Sequence, residues 1–239
     1  MNANNYLKLE TVKQLSNIYI YIGIFISMIM GGGIIYSIHS LNGPFDFQNV
    51  IGLYSSIIII VSGIFSAKLF AMDLQYGVIQ VLFSDKKARK NYVIVKFIIS
   101  LIFGIIISIG CMLVYILNGI VNNQNLSMKI IALIFIHYII FSAFYSILIH
   151  FISLFIKKAI PLFIITLLLI LVIPNIVSMV LKIPNLPNYI VEIIINIPLY
   201  SLPINIGFIE MSLSQILITV SVTVLLLIVT YSYINKIDY

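Results

Sequence analysis

Six stretches of this chain, Ile18–Ile38, Val50–Ala67, Phe97–Val121, Ile130–Ile156, Ala159–Leu181 and Gln215–Ile234, contain no Asp, Glu, Lys or Arg. Each is long enough to cross the ~30 Å hydrocarbon core of a bilayer with some tilt. Only 8% of residues are charged and the mean hydropathy is +1.19, against roughly 25% charged residues in soluble domains. A water-soluble domain is excluded. The expected fold is an all-α polytopic membrane protein with six transmembrane helices, read as one permease domain over residues 1–239. The first span lacks an A-x-A-like cleavage site and is followed by five more, so it reads as part of the mature protein rather than as a secretory signal.

The basic residues orient the chain. With the N-terminus in the cytoplasm, Lys8, Lys13, Lys68, Lys86, Lys87, Arg89, Lys90, Lys96, Lys157, Lys158 and Lys236 lie inside, and only Lys129 and Lys182 outside. Eleven against two satisfies the positive-inside rule, so both termini are expected in the cytoplasm. The net charge of +6 is thereby assigned to membrane orientation, and no nucleic-acid partner is expected. Tyr19, Tyr21, Tyr92, Tyr231 and Tyr233 near the inner rim, with Tyr36, Tyr54 and Tyr189 near the outer, serve as interfacial anchors in a chain without Trp.

Packing signals are equally local. Gly23, Ser27 and Gly31 recur every four residues in the first span, as do Ser100, Gly104 and Ser108 in the third, and such small faces let membrane helices approach closely. Gly31-Gly32-Gly33 also admits a hinge or broken helix. Cys111, the only cysteine, reads as a packing residue, with neither a disulfide nor a Cys-based metal site available to it. Pro174 should kink the fifth span.

Three segments lie outside the spans. Residues 1–17 read as an interfacial N-terminal segment. Residues 183–214 hold Pro184, Pro187, Pro198 and Pro203 with Glu192 and Glu210. Prolines so spaced break helices, which argues for two short re-entrant or interfacial outer helices rather than a seventh span. Residues 68–96 form the one sizeable cytoplasmic loop. Phe70, Leu74, Val78 and Val81 fall on one helical face and Asp73, Tyr76, Gln80, Ser84 and Lys87 on the other, the pattern of an amphipathic helix parallel to the membrane. Lys86, Lys87, Arg89 and Lys90 would hold such a helix to anionic lipid; equally, it could be the docking surface of a cytoplasmic partner.

Several chemistries have no motif here. There is no G-x-x-x-x-G-K-[ST] phosphate loop and hence no nucleotide-binding domain; H-E-x-x-H and G-x-S-x-G are likewise missing. The chain reads as a non-catalytic subunit with no metal and no cofactor of its own. No buried carboxylate of the kind that proton- or sodium-coupled carriers use, and no obvious repeat, is expected of this chain. His137 and His150 are the ionisable residues of the fourth span, ~20 Å apart along a helix axis and unable to share a ligand. Each either bonds between helices or contacts a transported molecule.

With these residues in view, segment 68–96 resembles the coupling segment of type-2 ABC exporter permeases. Asp73 matches the family's acidic residue, Gly77 its glycine, Val81 and Leu82 its apolar turn, Arg89 its arginine and Lys96 the lysine that precedes the third span. Val78 stands in place of the family's threonine, and no proline stands near Asp85. The ending Tyr233-Ile-Asn-Lys-Ile-Asp238 is similar to the short basic-then-Asp tail of these permeases. The resemblance covers the whole chain and implies a dimer, with a second copy or a sister permease, bound to cytoplasmic ABC ATPase subunits that hold ATP and Mg. Asp73 and Arg89 would be ion-pairing contacts to the ATPase, and Val81, Leu82 and Phe83 an apolar socket. Isoleucine occurs 56 times against 7 alanines, and lysine 12 times against one arginine, a bias expected of low-GC Gram-positive bacteria. In that setting the resemblance narrows to small exporters of amphipathic peptides, or immunity proteins against them, including lantibiotics and phenol-soluble modulins. The alternative is a non-transporting membrane sensor or scaffold whose basic loop binds a regulator.

Overall fold

The computed structural model describes residues 3–76, 86–184 and 186–234. Among these every regular element is helical. The helices are α1 (Ala3–Leu15), α2 (Ile18–Leu41), α3 (Phe47–Gln75), α4 (Lys86–Val121), α5 (Met128–Ser153), α6 (Ala159–Leu167), α7 (Ile173–Val180), α8 (Asn188–Asn196), α9 (Pro198–Asn205) and α10 (Leu213–Tyr233), with a π-turn at Leu168–Val172 between α6 and α7. Six helical stretches are long and apolar enough to cross a membrane: Ile18–Leu41, Phe47–Gln75, Ala88–Val121, Met128–Ser153, Ala159–Val180 and Leu213–Tyr233. The chain is an all-α, multi-pass membrane protein.

The second and third crossing helices differ from the sequence expectation at one end. α3 continues past Ala67 to Gln75, and α4 starts at Lys86 rather than Phe97. Most of segment 68–96 therefore belongs to these two helices and is not one separate helix lying in the membrane plane. Val78, Gln80 and Ser84, together with the coupling candidates Gly77, Val81, Leu82 and Phe83, lie outside the described residues, as does the tail from Asn235 to Asp238.

α3 is the centre of the bundle, packed against α2, α4, α5 and α6. Its outer end is set by a capping box in which Asp46 accepts from the Gln48 and Asn49 amides and Asn49 accepts from the Asp46 amide. Hydroxyl groups then bridge the helices. Tyr54 donates to the Ile107 carbonyl at 2.7 Å, Ser55 Oγ lies 2.6 Å from the Tyr138 hydroxyl, and Ser142 donates to the Ser100 carbonyl at 2.7 Å. Phe65 stacks on Phe103 with centroids 3.9 Å apart. Without a hydrophobic drive between helices in lipid, such contacts and close packing carry the association.

The small-residue faces lie at these interfaces. A methyl group on Gly23 would meet Val61 Cγ2 at 2.7 Å, one on Gly31 would meet Val114 Cγ1 at 2.7 Å and the Val50 carbonyl at 3.3 Å, and one on Gly104 would reach Ile139 Cα at 2.9 Å. Ser27, Ser100 and Ser108 are fully buried. The Gly31–Gly33 run stays helical, so α2 is not broken there; Gly31 packs against α3 and α4, whereas Gly32 and Gly33 have open space beside them. Cys111 is buried and unpaired. At Pro174 the expected distortion takes the form of the π-turn immediately before it; a proline has no N–H for the regular ladder, and a wider turn absorbs the mismatch. Residues 186–212 hold the two short helices expected between the last two spans, α8 and α9, with Pro187 capping one and Pro198 opening the other.

Candidate functional site

The end of α3, the start of α4 and the N-terminal helix α1 meet around four charged side chains. α1 presents Tyr6, Glu10 and Gln14 on one buried face at a spacing of four residues, and leaves Leu9 and Val12 on its outer surface. The outer surface of this helix is mixed, with Lys8 and Lys13 beside Leu9 and Val12, while Leu7 packs inward against the core.

Lys96 is the hub. Its side chain is fully buried, with Nζ 2.5 Å from Glu10 Oε1 and 2.6 Å from Asp73 Oδ2. Lys13 completes the set, 3.3 Å from Asp73 Oδ1 and 3.7 Å from Glu10 Oε2, with half of its side chain exposed. Two cations thus face two anions, and the cluster is neutral. Gln14 donates to Glu10 at 2.9 Å and the Tyr92 hydroxyl to Asp73 Oδ2 at 3.1 Å. The Lys96 ammonium also lies 5.2 Å from the Tyr92 ring centroid, within cation–π range. His150 seals one side, stacked on Phe70 at 4.3 Å and edge-on to Tyr92 at 5.5 Å.

Electrostatics follow from this geometry. Burial pushes the Glu10 carboxyl up, but the Lys96 charge and the hydrogen bonds from Lys96 and Gln14 outweigh it and hold the group below its ordinary range. Burial raises the Tyr6 phenol, and the charges of Glu10 and Asp73 raise it further. Because the native pKa of Glu10 is depressed, its contribution to docking is complete above the unfolded value of about 4.3 and is lost as pH falls through the lower native value. Protection of the α1 amides, taken as the exchange rate relative to the intrinsic rate at the same pH, should therefore fall as pH drops below about 4. Glu10→Gln should flatten that dependence; an unchanged profile in the variant would place the acid-sensitive step elsewhere.

The other candidates from the sequence are distributed differently. Asp73 and Lys96 are joined to each other, whereas Arg89 donates to the Ile234 carbonyl at 3.4 Å and Lys90 lies 5.0 Å from the Tyr231 ring centroid, so both reach the end of α10. Segment 68–96 was divided by sequence into an apolar face with Phe70 and a polar face with Asp73; both side chains are in fact buried, one on aromatic rings and the other on Lys96. The expectation that no carboxylate is buried also fails: Glu10 and Asp73 are buried. Both are ion-paired to Lys96. His137 is fully buried, and neither ring nitrogen has a hydrogen-bond partner among the described residues. At the opposite end of α3 a cavity of about 620 Å³ is lined by Ile34, Phe45, Gln48, Ile59, Pro203 and Phe208, and neither histidine borders it.

Glu10, Lys13, Gln14 and Tyr92 are site residues that sequence reasoning missed. For Glu10 and Gln14 the signal was their repeat with Tyr6 at a spacing of four residues on one face of α1; Lys13 and Tyr92 had none. Among the described residues no group of three or more His, Cys, Asp or Glu side chains forms a metal site. The chain matches no protein-family model and no curated protein sequence.

Proposed function

We propose that this protein is the transmembrane subunit of an ATP-driven exporter in a bacterial cell membrane, with both termini in the cytoplasm, working as a dimer on separate ATPase subunits. The observation that carries this reading is the clamp: Lys96, Asp73 and Glu10 join the two helices flanking residues 77–85 to each other and to α1. A force delivered to that short segment from the aqueous side would move the second and third crossing helices as one body. Mechanical input at a single loop is what a subunit without a phosphate loop of its own requires. The lysine-rich charge of the same rim supports its cytoplasmic placement. In this reading Asp73 and Lys96 act behind the contact surface, as positioning residues, and the partner's contacts are Gly77, Val81, Leu82, Phe83 and Arg89. Amphipathic peptides are the favoured cargo, for export or for self-immunity.

The test is purification of the tagged full chain from its native membrane. An ATPase subunit carrying a phosphate-loop motif should co-purify in stoichiometric amount, and Gly77→Leu should abolish that association while leaving the amount of inserted chain unchanged, because glycine allows close backbone approach. Purification without any ATPase would replace this reading with that of a non-transporting sensor or scaffold.

A further inference from the structure

At the end of the bundle opposite the ion cluster, α8 lies beside the start of α10, tied to it by a hydrogen bond of 3.2 Å from the Gln215 carboxamide to the Ile195 carbonyl. Between the two helices is a cavity of about 580 Å³. Glu192 and Asn196 border it from α8, with Ile193 and Ile197 beside them, and Ile218 and Val222 border it from α10. The α10 positions stand five and nine residues past Leu213, about 8 and 14 Å along the helix axis. The cavity therefore runs from the rim into the crossing region, with a carboxylate and a carboxamide on the α8 side and hydrocarbon on the α10 side.

No basic side chain lines the cavity. Among the described residues no cation stands within ion-pairing distance of the Glu192 carboxylate, in contrast to Glu10 and Asp73, which share Lys96 and Lys13. The Asn196 carboxamide donates to the main-chain carbonyl of Glu192 at 2.8 Å and not to its carboxylate. A carboxylate beside hydrocarbon at a membrane rim gains more from a counter-cation than one in open water, because the apolar neighbours lower the local dielectric. A metal ion would satisfy only the carboxylate, and a neutral lipid only the apolar wall. The occupant that fits both is cationic at one end and hydrocarbon at the other. We propose that this cavity binds an amphiphile with a single ammonium headgroup, its cation at Glu192 and its chain along Ile218 and Val222. The site rests on these residues alone and holds whether or not the chain transports anything.

The experiment is native mass spectrometry of the full chain released from nonionic detergent, titrated with dodecyltrimethylammonium or with uncharged dodecanol. The wild type should retain dodecyltrimethylammonium about tenfold more tightly than dodecanol, the scale of one charge-assisted contact. Glu192→Gln should abolish that preference while leaving dodecanol retention and thermal unfolding unchanged, since the side chain is exposed. Val222→Trp, which fills the apolar wall, should weaken retention of both amphiphiles. Glu210→Gln, an acid of the same rim outside this cavity, should behave as wild type. Equal retention of the two amphiphiles, undiminished binding by Glu192→Gln, or displacement by an equal concentration of tetramethylammonium would each overturn the proposal. So would a dimer that Val222→Trp dissociates, which would assign the cavity to a second copy of the chain.

Discussion

Replacing Lys96 by methionine should cost about 3–5 kcal/mol, the penalty for removing one partner from a buried ion pair. Lys96 is the only fully buried cation of the cluster, and it alone comes within 2.6 Å of both Glu10 and Asp73. Without it two buried carboxylates are left to Lys13, whose contacts are longer and whose side chain is 51% exposed. Repulsion between them would be relieved only by taking up a proton or by releasing α1. Lys13→Met should cost within about 1 kcal/mol, as for an exposed pair. The decisive comparison adds Glu10→Gln and Asp73→Asn to Lys96→Met: the neutral triple variant should recover most of the lost stability, because the penalty lies in unpaired charge and not in the missing ammonium itself. Reversible unfolding in mixed micelles reads the stability, and protease cleavage within α1 reads its release. Equal effects of Lys96→Met and Lys13→Met would show that the cluster is not a clamp.

The same residues explain where sequence reasoning stopped. The crossing segments are legible because an uncharged apolar run about 20 residues long has few alternatives, and all six were found. The uncharged stretches stop at Lys68 and Lys96, whereas the helices α3 and α4 run through both positions. A charge counted singly marks an exit; a charge paired with residues 23 and 86 positions away does not, and nothing local in the sequence announces those pairings. The facial division of segment 68–96 failed for a related reason. Helical periodicity separates polar from apolar positions, but α3 is packed on several sides, so Phe70 and Asp73 both point into protein.

The segment between the fifth and sixth crossings was better read because proline acts on its own backbone and needs no distant partner. Pro187 and Pro198 delimit α8 and α9 much as their spacing implies. Small-residue faces are legible in the same way, since they exclude alternatives through size. Histidine is not legible at this level. His150 is enclosed by Phe70 and Tyr92, which are remote in sequence, and His137 is buried without a described partner, so neither environment follows from the fourth span alone.

Gly104→Ala should be the most disruptive single methyl in the bundle, while the same change at Gly32 or Gly33 should be harmless. The added carbon at position 104 would stand 2.9 Å from Ile139 Cα and 3.2 Å from the Tyr138 carbonyl. Those atoms are backbone and have no rotamer through which to yield. α4 and α5 would have to separate, which would strain the Ser142–Ser100 hydrogen bond of 2.7 Å and the packing around Tyr138, at a cost of about 1–3 kcal/mol for overpacking. Gly63 offers a control of a different kind: its methyl would come within 2.5 Å of Ile170 Cδ1, the end of a flexible side chain that can rotate away at lower cost. Gly32 and Gly33 have nothing within 4 Å of an added carbon, so alanine there should be neutral or stabilising by up to about 1 kcal/mol through helix propensity. Unfolding midpoints of the four variants in one detergent would order them Gly104, then Gly63, then Gly32 and Gly33 from most to least destabilised. A Gly104→Ala protein as stable as the Gly32→Ala protein would mean that the α4–α5 contact is not the close backbone approach on which the bundle's central packing depends.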